Sequence, residues 1–552
     1  MVNNFKEKST RSALNPCKAF WFNDEIPKHE VAIIGCGAAG VAALFSFLES
    51  LRLGFNKKLK ITIFEKEIAF GPGFAYQCDS DELLMNMVSS TTSIFSHNES
   101  DFWSWVISKG YLVGGSQVIS KMGIDPSGYV SRGMFGLYLK SRAEDAISEL
   151  ERLGAQVELM NAEVTNIKYL DSRLFNVYFD NGESKQFKSV ILCIGNTEPL
   201  DVFNLQGKSR YINNPYPVTR YVGLIQNSDR VGIIGGQLTA ADIAVVLANQ
   251  GHHGPIYLFT RDLYFPLTRC RVEKRKLHHL TKENLRLLVS QGNGALTIRQ
   301  ILRLARKDFL RIGLKWNHFF KPSRKSYSDW IKSLLDGGEI HASWQHLALE
   351  TDSVIGDCWD ALSPSEKNLF MSKFHRSWNA KRVPLPVHTA LKIYSLFSLN
   401  ILRHCPYLSD INTPAGNIFT ASFNPPIGAV KASEVECDWI INATGPSRDI
   451  GCDQDSLLVR NLLESGLICK NPHGGILIDY ESSLVKNDKG QKHDGLYVVG
   501  HLTCGTYYYV SSLERVSAWA KNAVNHLVAS INSRECQQSS LPKNSDDEIY
   551  VS

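Results

Sequence analysis

No cysteine pair of the Cys-x-x-Cys kind occurs among the 12 cysteines of this 552-residue chain. Zinc ribbons and dithiol reductases depend on that spacing, so both are disfavoured, and the thiols are expected to be reduced and mostly buried. No run reaches the roughly 18 uninterrupted apolar residues of a membrane-spanning helix. The first 29 residues mix charges with Phe20, Trp21 and Phe22 and lack the apolar stretch of a secretory leader. The net charge of +5 is small for the length and does not point to a nucleic-acid or membrane partner. His252 and His253, His278 and His279, and His375 with His388 have no metal-ligand spacing or companion ligands, so no metal site is expected. These absences predict a soluble, cytoplasmic protein.

What the chain does contain is 43% hydrophobic residues, enough for large buried cores, in a length that implies two or three domains. The segment 29–34 reads as a buried strand, 38–51 as a helix and 60–65 as the next strand, the βαβ order of a parallel sheet. Residues 189–194 read as another buried strand. After a turn-rich connector the pattern restarts with a strand at 230–234, a helix at 238–250 and a strand at 255–260. Ile298, Ile301, Leu302, Ala305, Phe309 and Ile312 recur at three- and four-residue steps and predict one face of a helix. The nearby basic run from Arg271 to Lys276 reads as a solvated face. Strand-like segments follow at 439–442 and 495–500.

The expected fold class is α/β, with two Rossmann-like dinucleotide-binding domains and a helical insertion. The expected division is a polar leader over 1–29, the first part of an FAD-binding domain over 30–210, an NAD(P)-binding domain over 211–430 with its insertion at about 270–350, the C-terminal part of the FAD domain over 431–534, and a disordered tail over 535–552.

Two glycine-rich turns carry the chemistry. Gly35, Cys36, Gly37, Ala38, Ala39 and Gly40 join the first strand to the first helix. In such a turn Gly35 permits the tight bend, Gly37 lets a pyrophosphate approach the backbone, and Gly40 lets the helix pack on the strand. The helix N-terminus then offers free N–H groups and its positive dipole end to the phosphates. Glu65 closes the second strand, where a carboxylate accepts hydrogen bonds from ribose hydroxyls. It stands somewhat beyond the usual spacing of about 20 residues because 53–58 are inserted. FAD is the expected ligand.

The second turn is Gly235, Gly236, Gln237, Leu238, Thr239 and Ala240. Gln237 occupies the place where a glycine normally admits the phosphate. Either its side chain turns aside, or binding is weaker, or the site has lost its ligand. The following strand ends at Thr260 and Arg261. An arginine there pairs with a 2′-phosphate that an acid would repel, which favours NADPH over NADH. The alternative is that Arg261 is a plain surface cation.

Further segments accompany the turns: Gly71 to Tyr76, Leu83 to Asn86, Ser131 to Leu139, Gly251 to Ile256, Phe374 to Trp378 with Arg382 to Pro384, and Asn442 to Gly445. With them the chain resembles, from about residue 30 to 525, bacterial FAD/NAD(P)-binding proteins related to class B flavin monooxygenases and flavin-dependent N-hydroxylases. The resemblance implies FAD and NADPH as cofactors, Asn86 and Arg132 near the flavin, and Gly500 closing the FAD site. His501 stands where many flavoproteins carry an aspartate. The implied activity is an NADPH-dependent monooxygenase or N-hydroxylase that uses oxygen on a small-molecule substrate. A flavin reductase serving another acceptor and a non-catalytic nucleotide sensor remain as alternatives, because fold does not choose among them. No triad or carboxylate pair marks a catalytic residue, as is usual where cofactors carry the chemistry. Tyr507, Tyr508 and Tyr509 either line a substrate pocket or pack against the sheet.

Overall fold

The computed structural model describes residues 29–55, 58–109, 127–262, 266–269, 276–292, 294–314, 316, 332, 345, 347–413, 418–424, 434–451 and 456–539. The expected leader up to residue 28, most of the basic run and the tail from 540 lie outside the described residues.

Two sheets, the second parallel and the first parallel apart from one antiparallel edge strand, are built to one plan. In the first, β1 (His29–Ile34) feeds α1 (Ala38–Arg52) and β2 (Leu59–Glu65), and α2 (Arg132–Arg152) leads to β3 (Gln156–Asn161). An antiparallel meander of β4 (Val164–Tyr169), β5 (Phe175–Phe179) and β6 (Ser184–Phe187) then delivers the chain to β7 (Ser189–Leu192). In the second, β8 (Tyr211–Ile212) precedes β9 (Val231–Ile234), α3 (Leu238–Asn249) and β10 (Ile256–Thr260). The helical insertion follows, with α4 (Lys282–Gln291), α5 (Ile298–Arg311) and α6 (His375–Arg382) among its helices. The chain re-enters the sheet as β11 (Leu402–Pro406). A second meander, β12 (Leu408–Asn412), β13 (Phe419–Phe423) and β14 (Glu434–Cys437), delivers it to β15 (Trp439–Asn442). Finally β16 (Leu484–Lys486), β17 (Lys492–Val498) and α7 (Leu513–Ser539) return to the first sheet.

The strand orders are β16–β17–β7–β1–β2–β3 and β11–β10–β9–β15–β8. Val31 of β1 lies between Ile61 and Ser189, and Val231 of β9 lies between Ile256 and Trp439. Both central strands are covered on two faces, which is why they read as unbroken apolar runs. One boundary is corrected here. The segment 439–442, expected with the C-terminal part of the FAD domain, pairs with β9 and belongs to the second sheet. A short, wholly buried strand carries no mark of which sheet it joins; the preceding meander decides, as β4–β6 does for β7.

Helix α1 is apolar on most sides because it is sandwiched. Its Leu44 and Phe47 are fully buried in one core with Ala520, Ala523 and Val524 of α7. Each such side chain stabilises the fold by about 1.5–3 kcal/mol. In the insertion, α5 buries Phe309 of the predicted face against Leu285 of α4, with Ile301, Ala305 and Ile312 half-buried on the same core, and it also buries Leu304, which the predicted face did not include. Its start is fixed by a capping box between Thr297 and Gln300. Residues 535–539, expected as the start of the tail, lie in α7. No described helix is long and apolar enough to cross a membrane.

Candidate nucleotide-binding sites

The first turn sits where β1 and β7 end side by side. Gly35 has φ +94°, and a Cβ there would lie 2.3 Å from the carbonyl oxygen of Cys193. A Cβ on Gly40 would lie 2.3 Å from the carbonyl oxygen of Gly35. Both glycines are therefore required by the packing of the turn itself. Gly37 differs, since its φ of −76° suits any residue. What glycine leaves there is room, bounded by Gly73, whose Cα is 3.4 Å from the missing Cβ. Gly37 is also the N-cap of α1 and makes no side-chain cap, so the first N–H groups of Ala38, Ala39 and the following residues face outward.

Glu65 ends β2 as expected, almost fully buried. Its Oε2 accepts the N–H of Cys36 at 2.7 Å and its Oε1 accepts the N–H of Glu67 at 3.0 Å. The carboxylate thus holds the turn while each oxygen keeps a lone pair. Burial, reinforced by Glu65, pushes the Cys36 thiol up to about 12, so Cys36 acts through its backbone N–H and not as a nucleophile. Gly500, two residues beyond β17, has φ +101°, and its missing Cβ points at the Cβ of Ala39, 3.8 Å away. The C-terminal segment therefore closes over the first turn. Its neighbour His501 is half-buried, with Nε2 2.8 Å from the carbonyl oxygen of Ser447, and desolvation lowers its pKa.

The second turn repeats the first. Gly235 has φ +130°, and its missing Cβ would lie 2.7 Å from the carbonyl oxygen of Ala443, at the end of β15. Gln237 is the N-cap of α3 with φ −110° and ψ −158° and makes no side-chain cap. Gly236, Leu238 and Thr239 flank it, partly accessible. Arg261 follows the last residue of β10 and is exposed. The neighbouring Thr260 hydroxyl is 2.7 Å from Nε2 of His404, whose pKa burial pushes down to about 4.

Between the two units lies a polar seam that sequence reasoning missed. Arg132, at the start of α2, pairs with Asp242 of α3 at 2.5 Å, and the Tyr216 hydroxyl donates to the same carboxylate at 2.8 Å. The guanidinium lies 5.2 Å from the centre of the Tyr216 ring. Burial raises the Asp242 carboxyl, and Arg132 opposes that rise. The available signal was Asp242 itself, the one charged residue of a mostly apolar helix. Asn86 is half-buried and follows Met85, whose N–H donates to the carbonyl oxygen of Val130 at 2.8 Å.

The tyrosine run divides its roles. Tyr507 packs, stacked on Trp519 with centroids 3.7 Å apart. Tyr508 lines an apolar cavity of the insertion, and its hydroxyl is 3.0 Å from Nδ1 of His375. Burial, aided by Arg448, Arg376 and Arg261, pushes His375 down to about 4. No cluster of metal-ligating side chains occurs among the described residues.

Residues 32–197 match a protein-family model described as FAD-NAD(P)-binding. No curated protein matches the chain in sequence. Among solved structures, the ornithine N-hydroxylase of Kutzneria sp. 744, in a complex with reduced FAD, NADP+ and L-ornithine, is 13% identical, with 92% of this chain and 100% of that one covered and a TM-score of 0.55. L-lysine 6-monooxygenase from Pseudomonas syringae is 14% identical, with 91% and 100% covered and a TM-score of 0.57. The FAD-bound cadaverine monooxygenase DfoA of Erwinia amylovora is 13% identical, with 95% and 99% covered and a TM-score of 0.52. These likenesses establish a shared fold over nearly the whole chain.

Proposed function

We propose that this chain is an FAD-dependent, NADPH-using monooxygenase acting on a small molecule with oxygen. The observation that carries the reading is the pair of glycine turns. Each stands at the carboxyl end of the central strand of its own parallel sheet, on a fold shared with ornithine-, lysine- and cadaverine-oxygenating enzymes.

The residues present fit both nucleotides. For FAD, the bare backbone at Gly37, the outward N–H groups of α1 and the remaining lone pairs of Glu65 suit a pyrophosphate and a ribose. For NADPH, the N-terminus of α3 and the exposed Arg261 suit a pyrophosphate and a 2′-phosphate. When bound, the two cofactors supply hydride transfer and oxygen activation. The chain's own part is to hold, orient and exclude water. Glu65 fixes the turn, the Gly500 segment covers it, and the Arg132–Asp242 pair ties the second unit to the first. Burial holds the Cys36 and Cys504 thiols above their ordinary range, so neither is a ready thiolate for passing electrons to a disulfide. That weighs against a disulfide-reducing role.

Anaerobic mixing with NADPH and then with oxygen tests the reading. The flavin should bleach faster with NADPH than with NADH, and oxygen should restore its colour as oxygen is consumed. A protein that neither carries nor takes up FAD, or whose flavin neither nucleotide reduces, overturns it.

A further inference from the structure

The helical insertion holds a cavity of about 130 Å³ that presents only apolar surface. Its wall includes Ile301 and Ala305 of α5, Trp378 of α6, Trp359, Phe370 and Tyr508. Residues with polar atoms stand in the wall as well, but those atoms are engaged elsewhere. The Asp308 carboxylate accepts the N–H groups of His278 at 2.9 Å, His279 at 3.1 Å and Leu280 at 2.9 Å. The Thr351 hydroxyl donates to the carbonyl oxygen of Ala348, and Nε1 of Trp359 donates to that of Gly505 at 2.8 Å. The Tyr508 hydroxyl is 3.0 Å from Nδ1 of His375. A molecule in this space therefore meets hydrocarbon and aromatic rings. An ion would lose its hydration there and gain no partner in return.

The wall at Tyr508 is held in an uncommon backbone form. Tyr508 has φ +65° and ψ −61°, and the N–H of Tyr509 donates to the carbonyl oxygen of Tyr507 at 2.8 Å. This is a γ-turn that a bulky residue rarely adopts. Such strain persists only where the surroundings impose it, and it concentrates at ligand-binding sites. Here Arg448 grips the turn, donating to the carbonyl oxygens of Cys504 at 2.7 Å and Tyr508 at 3.3 Å. The turn separates neighbours: Tyr507 stays stacked on Trp519, while the Tyr508 ring lies 5.0 Å from Trp359 and 5.3 Å from Phe370, at the cavity. The same segment begins at Gly500, over Ala39 of the first turn. One stretch of chain thus covers the first nucleotide turn and walls the cavity.

We infer that the cavity takes up one small, uncharged, apolar molecule. Its volume suits a benzene-sized body, since an engineered apolar cavity of about 150 Å³ takes up benzene. That the molecule is the substrate rests on the monooxygenase reading; that it binds does not.

Toluene is the probe, titrated into the FAD-loaded full chain by calorimetry at pH 7. Benzylammonium and benzoate are its charged counterparts. Toluene should bind and raise Tm, and both ions should bind at least about tenfold more weakly. Ala305→Phe, which fills the cavity, should abolish toluene binding, measured on protein that carries FAD. Ile301→Ala, which enlarges it, should shift the preference from toluene toward naphthalene at least about tenfold, and this variant decides if Ala305→Phe does not fold. The inference is overturned if toluene does not bind or if either ion binds within tenfold of it. It is also overturned if folded Ala305→Phe binds toluene as the parent does, or if Ile301→Ala leaves the preference unchanged, for then toluene sits elsewhere. FAD retention and NADPH reduction on the same samples report separately on the monooxygenase reading.

Discussion

At the middle of the first turn stands Gly37 and at the middle of the second Gln237, yet the backbone scarcely differs: φ −76° and ψ −163° against φ −110° and ψ −158°. Both are extended conformations open to any residue. The invariant demands fall on the outer position instead, where Gly35 and Gly235 have positive φ and press on the carbonyl oxygens of Cys193 and Ala443. The difference between the two turns is thus one of space and not of chain geometry. At the first, the 71–73 loop comes down on Gly37, and a Cβ on Gly73 would lie 2.8 Å from the Gly37 Cα. There is no room left there for both a side chain and a phosphate.

The comparison is broken most severely by exchanging the middle residues. Gly37→Gln should abolish FAD retention, read as a colourless purified protein; a yellow variant would mean that the flavin sits elsewhere. Next comes the seam. Arg132→Met leaves Asp242 buried and unpaired, and urea unfolding should show a loss of about 3–5 kcal/mol, much of it recovered when Asp242→Leu is added. Third is pH. His375 and His404 stay neutral in the fold, at about 4, while the unfolded chain protonates near the ordinary 6.5. Their contribution is complete above pH about 6.5 and is lost as pH falls toward about 4, up to about 3 kcal/mol for each. His404→Gln should flatten that part of the stability curve, and an unchanged slope would show that His404 is not responsible. Fourth, Arg261→Ala should reduce the preference for NADPH over NADH about tenfold in flavin reduction, or by nothing if Arg261 is only a surface cation. The smallest effect belongs to Gln237→Gly, which should change the KM for NADPH by no more than about threefold, since the backbone already has the required form.

Much of this was legible in the residues. The strand–turn–helix order, the position of Glu65 and the apolar face of α5 follow from local pattern, which neighbouring residues carry in full. The membership of Trp439–Asn442 was not legible, because a buried parallel strand looks alike in either sheet. Nor was the pairing of Arg132 with Asp242. A charged side chain reads the same in sequence whether it faces water or an opposite charge brought from a hundred residues away. Glu65 was read for its ribose and also proved to clamp the turn, a contact that only the folded loop creates.

The return of β17 and α7 to the first sheet sets an order of assembly. Strand β17 lies beside β7, and α7 covers α1, yet about 300 residues separate β7 from β17 in the chain. At about 5–20 residues per second, ribosomal synthesis leaves the first unit with an open sheet edge and a bare α1 for roughly 15–60 s. The second unit, interrupted only by its own insertion, has all its strands earlier. The nucleotide unit that begins first is therefore finished last, and a nascent chain halted before Gly500 would present Leu44 and Phe47 to chaperones instead of a closed cofactor site.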